Sequence, residues 1–308
     1  MNLFRTSQLP QRDRKVVWVL WVVFGLNAAV ALAKLAVGLM TDRLTIIADA
    51  FHGFLDASNN IIGVVAIAAA AAPPDKEHPY GHRKFENIAA MIIGGAICLV
   101  SWQVVHLMFE RLHAVASGVT EPTETVPIDP LAVGVLVATL AVNMGVAWWE
   151  KRQGELLKSP LLKADAGHTY SDSFVTLLSL ASLFFGGGAW WVDPVLAIGV
   201  LWFLLRAAWG IISENLPAFT DRARLDPEAV DQVANGVDGV LATFGIRSHG
   251  TENDIHLDLS IVVSRSLTAG EAEDIEDQVR ERLQAAFPGL TLVAIHHSSR
   301  PPANPSTT

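Results

Sequence analysis

The chain reads as long apolar runs broken by short charged connections and then, from about residue 213, as short alternating segments. A helix needs roughly 20 apolar residues to cross a bilayer core. Six runs meet that length, at about 16–40, 44–72, 86–110, 131–150, 161–186 and 190–212. The pattern predicts an α-helical membrane domain of six transmembrane helices over 1–212, followed by a small α+β domain over 213–298. In the second part, Asp226-Pro227 sets an N-cap before a proline in the first turn, opening a short helix to about 236. A strand is expected around 239–247. Ile255, Leu257, Leu259 and Ile261 alternate with His256, Asp258 and Ser260, the period of a half-buried strand. Thr268 and Glu271 make a capping box for a helix running to about Phe287, and Leu290 to Ile295 supply a last strand. The expected order is α-β-β-α-β, with residues 299–308 a disordered tail.

Composition agrees with a membrane chain. The 308 residues are 51% hydrophobic and only 17% charged, with a mean hydropathy of +0.36. The net charge of −9 gathers in 221–285, which argues against nucleic acid as a partner. The single cysteine, Cys98, excludes an internal disulfide and any metal site built from several thiolates. Basic residues (Arg5, Arg12, Arg14, Lys15) precede the first run, which has no small-residue cleavage site and so reads as a retained span. Lys and Arg collect in the N-terminal segment, in 73–85 (Lys76, Arg83, Lys84) and in 150–163 (Lys151, Arg152, Lys158, Lys163). The opposite connections hold only Arg43 and Arg111, and 111–130 is acidic at Glu121, Glu124 and Asp129. That asymmetry places both termini in the cytoplasm. Gly186–Gly188 and the Trp190/Trp191 pair mark the last turn between spans, with the tryptophans as interfacial anchors.

The chemistry lies in a repeat. Residues 48–56 and 164–172, 116 positions apart, both read A-D-A-x-H-x-x-x-D. His52/Asp56 falls on the second span and His168/Asp172 on the fifth, each pair four residues apart and so on one helical face. Ionisable groups within spans are costly and mark ion or proton pathways. Two such faces brought together offer two imidazoles and two carboxylates, a donor set without sulfur that suits Zn2+ and accommodates Fe2+, Mn2+, Co2+ or Ni2+. Asp49 and Asp165, three residues ahead of each His, read as supporting partners or proton acceptors. A second cluster, P-P-D-K-E-H-P-Y-G-H-R-K over 73–84, places Asp75, His78 and His82 where they could meet on one ion or form a solvated polar loop.

The twin H-x-x-x-D segments, the H-P-Y-G-H-R-K-F-E loop and the α+β domain resemble the cation diffusion facilitator family of divalent metal transporters over about 10–297. The resemblance implies a homodimeric antiporter that exports Zn2+ or a similar ion (Fe2+, Mn2+, Co2+, Ni2+, Cd2+) in exchange for protons. It implies a transport site at His52, Asp56, His168 and Asp172, where the His-Asp/His-Asp form is typical of zinc carriers. It also implies a loop site at Asp75, His78 and His82. Family members often bind regulatory ions in the second domain. Here His256 and His296 match, His249 and His297 stand nearby, and Phe244, Glu273 and Ser298 occupy other ligand positions. Lys84 (or Arg83) and Glu214 correspond to a charge interlock. Two other classes share the donor set, a membrane metalloenzyme and a metal sensor. The sequence has no H-E-x-x-H motif, and ligands in both membrane halves favour transport.

Overall fold

In the computed structural model, residues 9–41, 44–117, 130–185 and 192–300 are described. The acidic stretch 118–129, Arg43, the turn at Gly186–Gly188 with Trp190/Trp191, and 301–308 lie outside them, as do the side chains of Asp49 and His52. The chain divides into two compact units, Met1–Asn215 and Leu216–Thr308.

Among its described residues the first unit holds six long helices: α1 (Gln11–Thr41), α2 (Leu44–Ala70), α3 (Lys84–Ala116), α4 (Pro130–Leu156), α5 (Pro160–Phe185) and α6 (Val192–Asn215). Helix α1 packs along α2 and against α4, while α5 touches α3, α4 and α6. Val16, Leu20, Val23, Val64, Ile67, Val146, Leu161 and Leu162 form one core between α1, α2, α4 and α5. Ala90, Ile97, Ala164, Val200, Leu204, Ala208 and Ile211 form another between α3, α5 and α6. Many large apolar side chains instead point outward, among them Trp18, Leu32, Ile92, Leu99, Trp102, Trp148, Trp202 and Trp209. In water such exposure would be a liability, whereas in lipid it is the expected finish.

Six spans were expected, and four stretches are long and apolar enough to cross a membrane among the described residues. They are Gln11–Met40, Lys84–Glu110, Val133–Leu156 and Ala197–Ala218. Helix α2 contributes only a shorter apolar stretch, Asp56–Ala70. In α2 and α5 the side chains at 44–46, 48, 49, 52, 55 and 178–185 lie outside the described residues, so neither helix enters that count over its full length.

A charged cluster ties one end of this unit together. Arg12 bonds Glu86 through both guanidinium nitrogens (2.6 and 3.0 Å) and Asp13 at 3.0 Å, and Arg83 bonds Asp13 at 2.8 Å. Arg12 also donates to the carbonyls of Leu157 and Lys158, and Ser159 Oγ donates to Glu86 at 2.5 Å. Four segments are joined this way: the start of α1, the loop before α3, α3 itself and the α4–α5 connection.

The second unit contains α7 (Pro227–Asn235), β1 (Ala242–Thr251), β2 (Asp254–Val262), α8 (Ala269–Ala286) and β3 (Leu290–Ser298), after a 3-10 turn at Leu216–Ala218. Strand β2 is central, antiparallel to β1 and parallel to β3. A parallel pair needs a crossover, and α8 supplies it. Ile255, Leu257, Leu259 and Ile261 are buried with Val230, Ala234, Val279 and Leu283 of the helices, as the alternating period requires. Strand β1 begins three residues later than the sequence suggested. Val237–Val240 make a turn first, with Gly239 at φ +94°. That backbone favours glycine, and a Cβ there, 2.5 Å from Ile275 Cδ1, would also push that methyl aside.

The capping box forms as expected, Glu271 N–H donating to Thr268 Oγ1 and Thr268 N–H to Glu271. That backbone N–H, followed by the Thr268 hydroxyl, holds the Glu271 carboxyl below the usual glutamate range. A depressed carboxyl contributes above its unfolded value and is lost as pH falls through the folded one, so this cap weakens only in acid. Thr268→Ala is expected to cost about 1 kcal/mol. Denaturant unfolding of the full chain, followed by circular dichroism, would measure it.

Candidate metal centre

The fold brings one ligand from α2 to two from α5. His168 Nε2 lies 3.4 Å from Asp172 Oδ2 and 3.9 Å from Asp56 Oδ1, and single donor atoms of all three fall within 4.8 Å of one another. Two donors held about 2.0–2.1 Å from a tetrahedral ion stand roughly 3.3 Å apart. The His168–Asp172 separation therefore already has the spacing of a ligand pair. The other ring nitrogen, His168 Nδ1, is buried with no hydrogen-bond partner among the described residues. The backbone of His52 continues the same face of α2, four residues before Asp56, and its side chain lies outside the described part.

These three groups border a polar cavity of about 70 Å3 that α1, α2, α4 and α5 line with Asn27, Lys34, Asn143, Asp165, Thr169 and Thr176. On the other side of His168 and Asp165 is an apolar cavity of about 140 Å3, walled by Ile62, Ile92, Ile93 and Leu161. The cage thus stands between a polar cavity and an apolar one. Asp165 is 7% exposed. Its neighbour is the carboxyl of Glu150 on α4, fully buried, whose oxygens meet no donor among the described residues. Two carboxyl groups side by side can be joined by a hydrogen bond only through a proton held between them.

The loop residues also converge. Asp75 lies 3.4 Å from His78 Nδ1 and 3.4 Å from His82 Nε2, and one donor atom of each falls within 4.8 Å of the others. The loop is shaped by its own backbone. Asp75 Oδ1 accepts the N–H groups of His78 (2.6 Å) and Glu77 (2.9 Å), and Gly81 donates to the His78 carbonyl. The His78 N–H is the main reason that the Asp75 carboxyl sits below the usual aspartate range. The His78 and His82 rings lie 4.4 Å apart with their planes tilted by 44°, beside Phe85.

In the second unit His249 and His256 are register partners with rings 5.2 Å apart, and Asp254 lies 3.4 Å from His256 Nε2. His296 and His297 stand elsewhere. His256 pairs with Leu292, whereas His296 pairs with Ser260, four residues and about 13 Å along the strand. His297 is bonded to Glu276 at 2.5 Å. One protomer therefore brings His249 and His256 together and leaves His296 and His297, consecutive on β3 and on opposite faces of the sheet, apart from them. Within the protomer Glu214 is held by Lys163 of α5 at 2.6 Å, because α5 packs on α6, and Arg83 is taken by Asp13.

Sequence reasoning missed Lys34, Glu150, Asp254 and the Arg12–Glu86 cluster. Lys34 and Glu150 had a legible signal as lone charges in or at the end of apolar runs. Asp254 had none, since an acidic residue ahead of a strand looks like turn chemistry.

Membrane helices that gather carboxylates and an imidazole around an internal cavity, joined to a small α+β unit, have the layout of a membrane carrier. The chain belongs to the cation efflux family. Residues 20–219 match the cation efflux transmembrane domain and 224–299 the cation efflux protein cytoplasmic domain, a dimerisation domain. It is 30% identical over 308 aligned residues to metal tolerance protein 2 of Oryza sativa subsp. japonica, covering 91% of this chain and 78% of that protein. It is 25% identical to the manganese efflux system protein MneS of Bacillus subtilis over 82% of this chain and 84% of that one. To the cation-efflux pump FieF of Shewanella oneidensis it is 26% identical, over 87% and 90%. The protein is thus a multi-pass membrane transporter of a family whose substrates are divalent metal cations.

Proposed function

We propose that the protein exports Zn2+ from the cytoplasm in exchange for protons, as a homodimer of six-span protomers in the cell's inner membrane with both termini cytoplasmic. The observation that carries this reading is the convergence of Asp56, His168 and Asp172 on one polar cavity between membrane helices. Metal binding needs deprotonated carboxylates and a neutral imidazole, so a proton and a metal ion compete for the same atoms. A carrier that exposes such a cage alternately to two faces exchanges one for the other. His52 completes the cage as a fourth donor in this reading, and Asp165 with Glu150 stands beside it as a proton acceptor. The loop trio Asp75, His78 and His82 is a second ion site, and His249 with His256 a third, supported by Asp254. The mixed imidazole–carboxylate set supports zinc, while the manganese efflux relative supports Mn2+ as the second choice.

The test is flux. Proteoliposomes containing the purified chain, a zinc dye and a pH dye should take up Zn2+ while the lumen loses protons. Zinc uptake indifferent to the pH gradient overturns the exchange, and Mn2+ uptake without Zn2+ uptake overturns the choice of metal.

A further inference from the structure

Lys34 enters the polar cavity from α1, a helix that supplies no member of the cage. The approach is close. A Cβ on Gly53 of α2 would lie 3.2 Å from Ala31 Cβ, so the absence of a side chain at 53 lets α1 settle against the turn carrying Asp56. Lys34, one turn beyond Ala31, is 9% exposed and lines the same space as Asp56 and Asp172. A lysine within a membrane helix commonly carries its ammonium out to the interface. Thr41, where α1 ends, is seven residues and about 10 Å further along, and the Lys34 side chain lines the cavity instead.

Among the described residues lining the cavity, the charged groups are then three carboxylates (Asp56, Asp165 and Asp172) and one ammonium. Any cation that enters meets the three attractions and the one repulsion together. In a compartment of low dielectric both are stronger than in water. The repulsion scales with the charge of the incoming ion, so it acts twice as strongly on a divalent ion as on a proton. A site that moves ions must bind well enough to load and weakly enough to let go.

We propose that Lys34 is a tethered cation that limits how tightly the Asp56/His168/Asp172 cage holds a divalent ion, and so governs release. This rests on reading the cage as the transport site. Lys34 touches no ion; it acts through the field it adds to the cavity. A purely structural role, in which Lys34 only pairs with carboxylates to hold α1 in place, has the opposite signature. Removing the ammonium would then loosen the bundle and leave metal affinity unchanged or weaker.

The experiment compares wild type, Lys34→Met, Lys34→Arg and His168→Ala, each full-length in nanodiscs. Zn2+ binding is measured by chelator competition, and only the component lost in His168→Ala is assigned to the membrane site. Lys34→Met is expected to bind Zn2+ at that site at least tenfold more tightly and to turn over at least threefold more slowly in proteoliposomes. Lys34→Arg, which keeps the charge, should stay within threefold of wild type in both. Unchanged or weaker binding in Lys34→Met overturns the proposal. Should Lys34→Met fail to stay monodisperse, Lys34→Gln replaces it, with tighter binding again expected and unchanged or weaker binding again overturning the proposal. A wild type that binds Zn2+ through His168 but moves none overturns the transport reading instead.

Discussion

His168→Ala is expected to lower zinc affinity at the membrane site by at least about a hundredfold, the upper end of what losing a supporting partner alone costs, and to bring Zn2+ uptake to the level of empty liposomes. Three features make this the largest functional effect. His168 is the donor nearest to both carboxylates, at 3.4 Å from Asp172 and 3.9 Å from Asp56. It is the group that, with Asp165, borders both the polar and the apolar cavity. It is also an imidazole, a ligand that binds a metal ion only after giving up its proton. Stopped-flow dye uptake at several Zn2+ concentrations would check it. Retention of wild-type rates at saturating zinc would remove the cage from the transport path.

Glu86→Ala should produce the largest loss of stability, about 3–5 kcal/mol. The Glu86 side chain is 4% exposed and receives two bonds from Arg12 and one from Ser159. Its removal leaves the Arg12 side chain, only 20% exposed, with Asp13 as its one remaining carboxylate among the described residues, and Asp13 is already engaged by Arg83. Breaking a buried pair costs more than the pair contributed, because the surviving charge stays out of water. Glu86→Gln should cost less, since an amide oxygen still accepts from Arg12 and Ser159. Unfolding of the detergent-solubilised protein would compare the two, and a loss below about 1 kcal/mol for Glu86→Ala would mean that water reaches the cluster.

Much of this was legible in the sequence. The repeated motif fixed which two helices hold the cage, because period and polarity are local properties that survive without a fold. The loop trio was legible for the same reason, with proline and glycine spacing the ligands. The second unit's helices and strands followed from a capping box and a clean alternation, while the start of β1 did not. That boundary depends on Gly239 meeting Ile275 of α8, a contact between segments far apart in the chain. Lys34 and Glu150 escaped for the related reason that a charge in an apolar run tells of a cavity without telling which one. The histidines of the second unit were grouped by sequence likeness, but strand register decides their neighbours and sets His296 about four residues along from His256.

The cage takes two donors from one helix and the third from another. His168 and Asp172 move with α5 as a rigid pair, and Asp56 moves with α2. An ion held by all three is therefore a staple between two helices. Separating those helices must break a coordination bond, so loading and mechanical cohesion become the same quantity. Unfolding temperature should accordingly climb with the logarithm of free metal concentration above the dissociation constant. A heating curve recorded across a metal series would then rank the cations by how well they close the gap between α2 and α5, without any transport being measured.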